Sequence, residues 1–193
     1  MNIRDLVVYA DEYAKEEIKQ YGAPEPNFYE IAMEKGIWLA EQLSADVDIV
    51  KIGTALMDCG LGRAKKNGTP EEHAAMSVEK TKEILRGCDF SEEIKGKIVN
   101  CVAAHHGTIP YLCIEAEICA NADCYKFLYP RCFFTGINLF YNRFNDLDKT
   151  LEHMEERMNE KYNIMSLDMV KEELEEYFHQ FKNLIEVAKH EHL

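Results

Sequence analysis

Apolar residues recur at three- and four-residue spacing along nearly the whole chain, and no segment alternates convincingly with period two. A helical stripe of this kind is buried against other helices when no sheet is available to receive it, so the pattern specifies an all-α fold. "RDLVVYADEYAKEEIKQYG" reads as a helix that stops at Gly22, ahead of the breaker "APEP". "NFYEIAMEKGIWLAEQL" puts Phe28, Ile31, Ala32, Leu39 and Leu43 on one broad face, and "ADVDIVKIGTALMDCG" ends at Gly60. "LGRAKKNG" reads as a basic, glycine-containing loop. In "TPEEH", Thr69 is placed to cap a helix with Pro70 in the first turn and Glu72 three residues on. Further helices are expected over "SEEIKGKIVNCVAAHHG", over "IEAEICANADCYKFLYP" as far as Pro130, around 137–143, over "DLDKTLEHMEERMNEKY", and from Ser166 towards His190.

A chain of 193 residues suits one domain with a sizeable core. Charges interrupt every apolar run, so no membrane partner is expected, and acids within "MNIRDLVVYADEY" make that stretch unlike a secretory signal. The protein reads as cytoplasmic. The 22 basic and 35 acidic residues give a formal net charge of −13, a field that repels a phosphate backbone and argues against a polymeric nucleic acid as partner. Its late acidic runs, "LEHMEERMNE" and "KEELEEYF", read as solvated helix faces, or as a surface for homo-oligomer assembly. The seven cysteines include no C-x-x-C pair and read as reduced thiols, with Cys101, Cys119 and Cys124 in apolar helical surroundings.

Side chains able to hold a metal gather at helix ends. Asp58 lies at the end of one helix, His73 in the first turn of the next, His105 and His106 end a third just before Gly107, and Asp123 lies inside "EAEICANADCYKF". Imidazole and carboxylate from separate helices suit a divalent ion, with Mn, Fe, Co, Ni, Zn and Mg as candidates. Neighbours on a helix diverge by about 100°, so His105 and His106 are expected to reach different partners. Taken singly, each histidine has an ordinary alternative: a surface residue at His73, or complements to the helix dipole at His105 and His106. Cys101 and His105 share an i, i+4 face, but no second cysteine lies near in sequence to complete a thiolate site. His153, His179, His190 and His192 sit among charges and are expected to be exposed, while Trp38 and "CFFTGINLFY" read as packing residues.

From Phe28 to Leu128 the sequence resembles the HD-domain metal-dependent phosphohydrolases. That family places a His at a helix start, then Leu-Ala, then "AALLHDIG", a His in the following helix, a His-His at a later helix end, and an Asp in "EAxxxxxAD". Here "LAEQLSADVDIVKIGTALMDCG", "EEHAAMSVEKTKEIL", "AAHHG" and "EAEICANADCYKF" match these in order. Two positions depart: the family's first His falls on Phe28, and the His of the HD doublet falls on Met57. The resemblance implies an HD-like helical bundle over about 27–130 with additional C-terminal helices over about 131–193, all in one domain. It also implies a metal site from Asp58, His73, His105, His106 and Asp123, with Asp58 and His105 in catalytic roles. Arg63, Lys65 and Lys126 are the basic candidates for binding a small phosphorylated molecule. Loss of two histidines leaves a competing expectation, an inactive HD-fold binding or regulatory module.

Overall fold

The computed structural model describes residues 1–190. In chain order the helices are α1 (Ile3–Tyr21), α2 (Pro26–Gln42), α3 (Val47–Leu56), α4 (Leu61–Asn67), α5 (His73–Arg86), α6 (Glu92–Ala103), α7 (Ile114–Leu128), α8 (Pro130–Phe144), α9 (Leu147–Ile164) and α10 (Asp168–His190). No strand occurs among the described residues, so the all-α expectation holds. The chain divides into two compact units, Met1–Asp123 and a second beginning at Cys124. No helix among the described residues is long and apolar enough to cross a membrane.

The first unit is built around α3. The segment "VDIVKIGTAL" is apolar on nearly every side, and Ile49, Val50, Ile52, Gly53, Thr54, Ala55 and Leu56 are all buried. Asp46 starts this helix by accepting the N–H groups of Asp48 and Ile49 at 3.0 and 3.1 Å. Around it pack α1, α2 and α6. The approach is close at Gly53, where an added Cβ would lie 2.5 Å from Cys101 Cβ and 2.9 Å from Cys119 Sγ. That contact seats α3 directly on α6 and α7, the helices on either side of the His-His segment.

Several local expectations differ from the structure. "LGRAKKN" is helix α4, not a loop, because Arg, Ala and Lys favour helix and Gly68 ends it in the left-handed region at φ 80°. Thr69 makes no side-chain cap; Pro70–Glu72 form a single 3₁₀ turn that delivers the chain into α5 at His73. Pro130 does not terminate a helix but opens α8, where its missing N–H costs nothing. That makes α8 much longer than 137–143.

In the second unit α8 packs on α9 and α9 on α10. Its core includes the stacked pairs Phe133–Phe181 and Tyr162–Phe178, with ring centroids 4.1 and 4.0 Å apart. His153 is half-buried against Phe140 and Phe144, contrary to the expectation of exposure, and burial lowers its pKa. His179 and His190 are exposed, and His192 lies outside the described residues.

Two glycine substitutions test the packing at α3. Gly53→Ala is expected to lower the urea midpoint, because overpacking costs about 1–3 kcal/mol. Gly96→Ala, on the open face of α6 with nothing within 4 Å, is expected to raise it, by up to about 1 kcal/mol of helix propensity. Equal effects at the two positions would contradict the close α3–α6 contact.

Candidate metal centre

Asp58 stands two residues past the end of α3, just after Met57, whose N–H donates to the Gly53 carbonyl at 2.9 Å. The turn that follows lies directly on α5. A Cβ at Gly60 would come within 2.8 Å of the His73 carbonyl oxygen and 2.9 Å of Met76 Cβ, so only glycine fits without a shift. The Gly60 N–H donates to Ser77 Oγ at 3.0 Å, and Ser77 is fully buried one turn beyond His73. This clamp holds the carboxylate-bearing turn against the helix that starts with His73.

The imidazoles are oriented by backbone carbonyls. His73 Nδ1 lies 2.7 Å from the Pro70 carbonyl oxygen, and His105 Nδ1 lies 2.7 Å from that of Val102. A carbonyl can only accept, so in both rings Nδ1 carries the proton and the neutral ring presents a lone pair at Nε2. Those two Nε2 atoms face the same Asp58 Oδ1, at 3.4 Å from His73 and 3.7 Å from His105. His106 Nε2 closes the group at 3.0 Å from His73 Nε2.

All three histidines offer ligand nitrogens within 4.8 Å of one another. Ligand bonds of about 2.0–2.2 Å would place two donors on one ion about 3–4 Å apart. The donor set and its spacing therefore fit a divalent ion held by His73, His105, His106 and Asp58. His105 is fully buried, while His73 and Asp58 retain 13% side-chain exposure each, so the centre opens on the His73 and Asp58 side.

The expectation that His105 and His106 must diverge fails for a simple reason. Helix α6 ends at Ala103, so both residues lie beyond it in a turn, where the helical rotation does not apply. Their ring centroids are 4.0 Å apart. The same break removes Cys101 and His105 from a shared helical face.

Electrostatics favour positive charge here. Burial pushes the His73 pKa down, but its hydrogen bond to Asp58, the Asp58 charge, the Pro70 carbonyl and the Asp123 charge outweigh it, and the net shift is upward. Asp123, buried in α7, thus acts on the same centre. Neighbouring Cys59 is no thiolate donor, since burial pushes its pKa up to about 12. Phe28 and Met57 are buried apolar side chains, 4% and 1% exposed, and contribute no donor.

The basic candidates are placed differently. Arg63 is held by α1: its Nε and Nη2 donate to the two Glu17 oxygens at 2.7 and 2.6 Å, a bidentate pair. Lys65 is exposed on α4, and Lys126 is buried in the second unit. Sequence reasoning missed Pro70 and Val102 as orienting carbonyls and Ser77 as the partner of the Gly60 N–H. Of these, only Ser77, at i, i+4 from His73 on α5, left a signal in the sequence.

The fold is shared with two crystal structures, one of them of a predicted HD superfamily hydrolase. It is similar to the crystal structure of Bacillus subtilis YpgQ, with a TM-score of 0.70 at 13% identity, covering 98% of this chain and 96% of that one. It is also similar to the crystal structure of a predicted HD superfamily hydrolase from an uncultured Thermotogales bacterium. That likeness has a TM-score of 0.60 at 16% identity and covers 92% of this chain and 99% of the other. In sequence, 123 residues, or 64% of the chain, are 28% identical to Ribonuclease Y of Treponema denticola, and they span 22% of that protein's length. No family model matches the sequence.

The raised His73 pKa sets a pH dependence. In chelator, the stabilisation that protonated His73 draws from Asp58 is fully present below the ordinary imidazole pKa and is lost as pH rises through the folded value. Urea titrations of the wild type and Asp58→Asn at a series of pH values are therefore expected to differ most at the acid end of the imidazole range. A stability difference that grows towards alkaline pH would contradict the pairing.

Proposed function

We propose that the protein is a metal-dependent phosphohydrolase acting on a nucleotide or another small phosphorylated metabolite. The observation that supports this reading is the convergence of three imidazole nitrogens and the Asp58 carboxylate, with two of the rings locked as lone-pair donors. A divalent ion bound there would polarise a phosphoryl oxygen and make water a better nucleophile at neutral pH. Asp58 offsets positive charge and aligns the His73 and His105 rings. Within the centre, His106 is the more exposed member of the adjacent pair and is positioned to meet substrate. His105, in the role first expected of it, would serve as ligand or as proton donor to the leaving group. Arg63 is held by Glu17, and Lys65 and Lys66 are exposed basic side chains on α4 that offer positive charge to a phosphate.

A second reading has its own observation. Phe28 and Met57 fill two positions where the resemblance calls for imidazole, which favours a binding module that kept the fold and lost turnover. Both readings meet in one experiment. The purified chain is analysed for bound metal, then assayed for phosphate release from nucleotides and sugar phosphates with Mn²⁺, Co²⁺ and Mg²⁺. A short single-stranded RNA joins the panel because of the likeness to a segment of a ribonuclease. Near-stoichiometric metal, with turnover that falls at least about 100-fold in His73→Ala and His106→Ala, is the expected result. Nucleotide binding without metal and without turnover, by a folded protein, would replace the hydrolase with the binding module. Preferential cleavage of RNA would overturn the small-molecule substrate.

A further inference from the structure

A cleft of about 440 Å³ in the first unit lies between α1 and α5. One face of α5 lines it, with Met76, Glu79, Lys80, Glu83 and Arg86 recurring at helical spacing. Tyr13 lines it from α1 and Arg63 from α4, and Cys59 and Gly60 border it from the turn after α3. Asp58, His73, His105 and His106 are not among the described residues that line it, so the cleft is distinct from the metal centre.

Three kinds of group meet there. The cations are Arg63, Lys80 and Arg86. Arg63 is fixed in place, because Nε and Nη2 donate to the buried Glu17 carboxylate and the guanidinium lies 5.4 Å from the Tyr21 ring centroid. That pair leaves Nη1 for another acceptor. Lys80 Nζ lies 5.1 Å from the Tyr13 ring centroid and so reaches from α5 to α1. The aromatic group is Tyr13 itself, stacked on Tyr9 with centroids 6.2 Å apart and planes 12° from parallel. The acids are Glu79 and Glu83, paired with Lys82 at 2.9 Å and Lys80 at 3.0 Å. Both are exposed i, i+3 pairs, which a new partner displaces at little cost.

This mixed lining selects the class of ligand. A bare phosphate would meet two carboxylates that repel it, and an apolar molecule would strip water from five charges. A nucleotide uses every group: its base packs on the tyrosine ring, its ribose hydroxyls donate to a glutamate, and its phosphate accepts from the cations. The volume falls within the range of about 300–1,000 Å³ that holds small ligands. A polynucleotide would run beyond the cleft into the field of a chain with a net charge of −13.

We propose that the cleft between α1 and α5 is a mononucleotide-binding site, separate from the metal centre and independent of the hydrolase reading. Lys80 exchanges Glu83 for the phosphate, and Arg86 pairs with the same group. Arg63 keeps its bonds to Glu17 and offers only Nη1, away from the metal centre to which its sequence position assigned it. Glu79 or Glu83 accepts from the ribose.

The test titrates the full chain, stripped of metal by chelator, with 5′-AMP, 5′-UMP, adenosine and inorganic phosphate by calorimetry. Saturable one-site binding of a nucleotide is expected, with inorganic phosphate at least about tenfold weaker and adenosine likewise weaker than 5′-AMP. Lys80→Ala and Arg86→Ala are each expected to weaken nucleotide binding at least about tenfold, because a charge-assisted hydrogen bond is lost. His106→Ala is expected to leave the affinity unchanged. Circular dichroism monitors folding, and Arg86, an exposed side chain, decides if another variant does not fold. No binding of either nucleotide at millimolar concentration, or binding that His106→Ala weakens and Arg86→Ala spares, would overturn the site. Inorganic phosphate binding as tightly as the nucleotides would overturn the ligand class. The measurement needs neither metal nor turnover, so its failure is distinct from failure of the hydrolase reading.

Discussion

Two backbone carbonyls set the chemistry of the first unit. By taking the Nδ1 protons of His73 and His105, Pro70 and Val102 leave both rings with lone pairs at Nε2, directed at one carboxylate oxygen. Lone pairs facing a carboxylate repel, and burial strengthens the repulsion because little water screens it. Positive charge in the midst of these groups relieves that repulsion. A proton supplies it at low pH, and the upward shift of His73 is the sign of that demand. A divalent ion supplies it more completely.

The rest of the unit holds these groups at their separation. Helix α3 is buried nearly all round, so its end cannot move without disturbing α1, α2 and α6. Gly53 lets α3 sit on Cys101 and Cys119, and Gly60 lets the turn after Asp58 rest on the backbone of α5. Where a side chain would push the helices apart, the sequence has none. Arg63, expected near phosphate, instead ties α4 to α1 through Glu17 and supports the clamp from outside.

The helical class was legible because burial imposes a period on every segment, and the grouping of Asp58, His73, His105 and His106 was legible because few residue types can ligate a divalent ion. The details that failed depended on backbone geometry that residue identity does not specify. "LGRAKKNG" carries two glycines, yet only Gly68 adopts a conformation that needs one, and the rest is helix. His105 and His106 looked like helical neighbours, but α6 stops at Ala103 and lets both rings meet. The segment before α7 gave no sign of its contact with α6, where Asn100 accepts the N–H of Leu112 twelve residues further on.

Phe28 and Met57 separate the ligand set proposed here from the pattern the sequence resembles. Their burial removes two imidazoles and leaves the remaining donors grouped around the Asp58–His73 edge. The most direct measurement is an anomalous difference map from crystals grown with Mn²⁺ or Zn²⁺. Expected is one peak within bonding distance of Nε2 of the imidazoles at 73, 105 and 106 and of a carboxylate oxygen at position 58. A peak elsewhere, or fully occupied ions that leave these nitrogens bonded only to one another, would contradict a shared cation as the feature that makes this cluster stable.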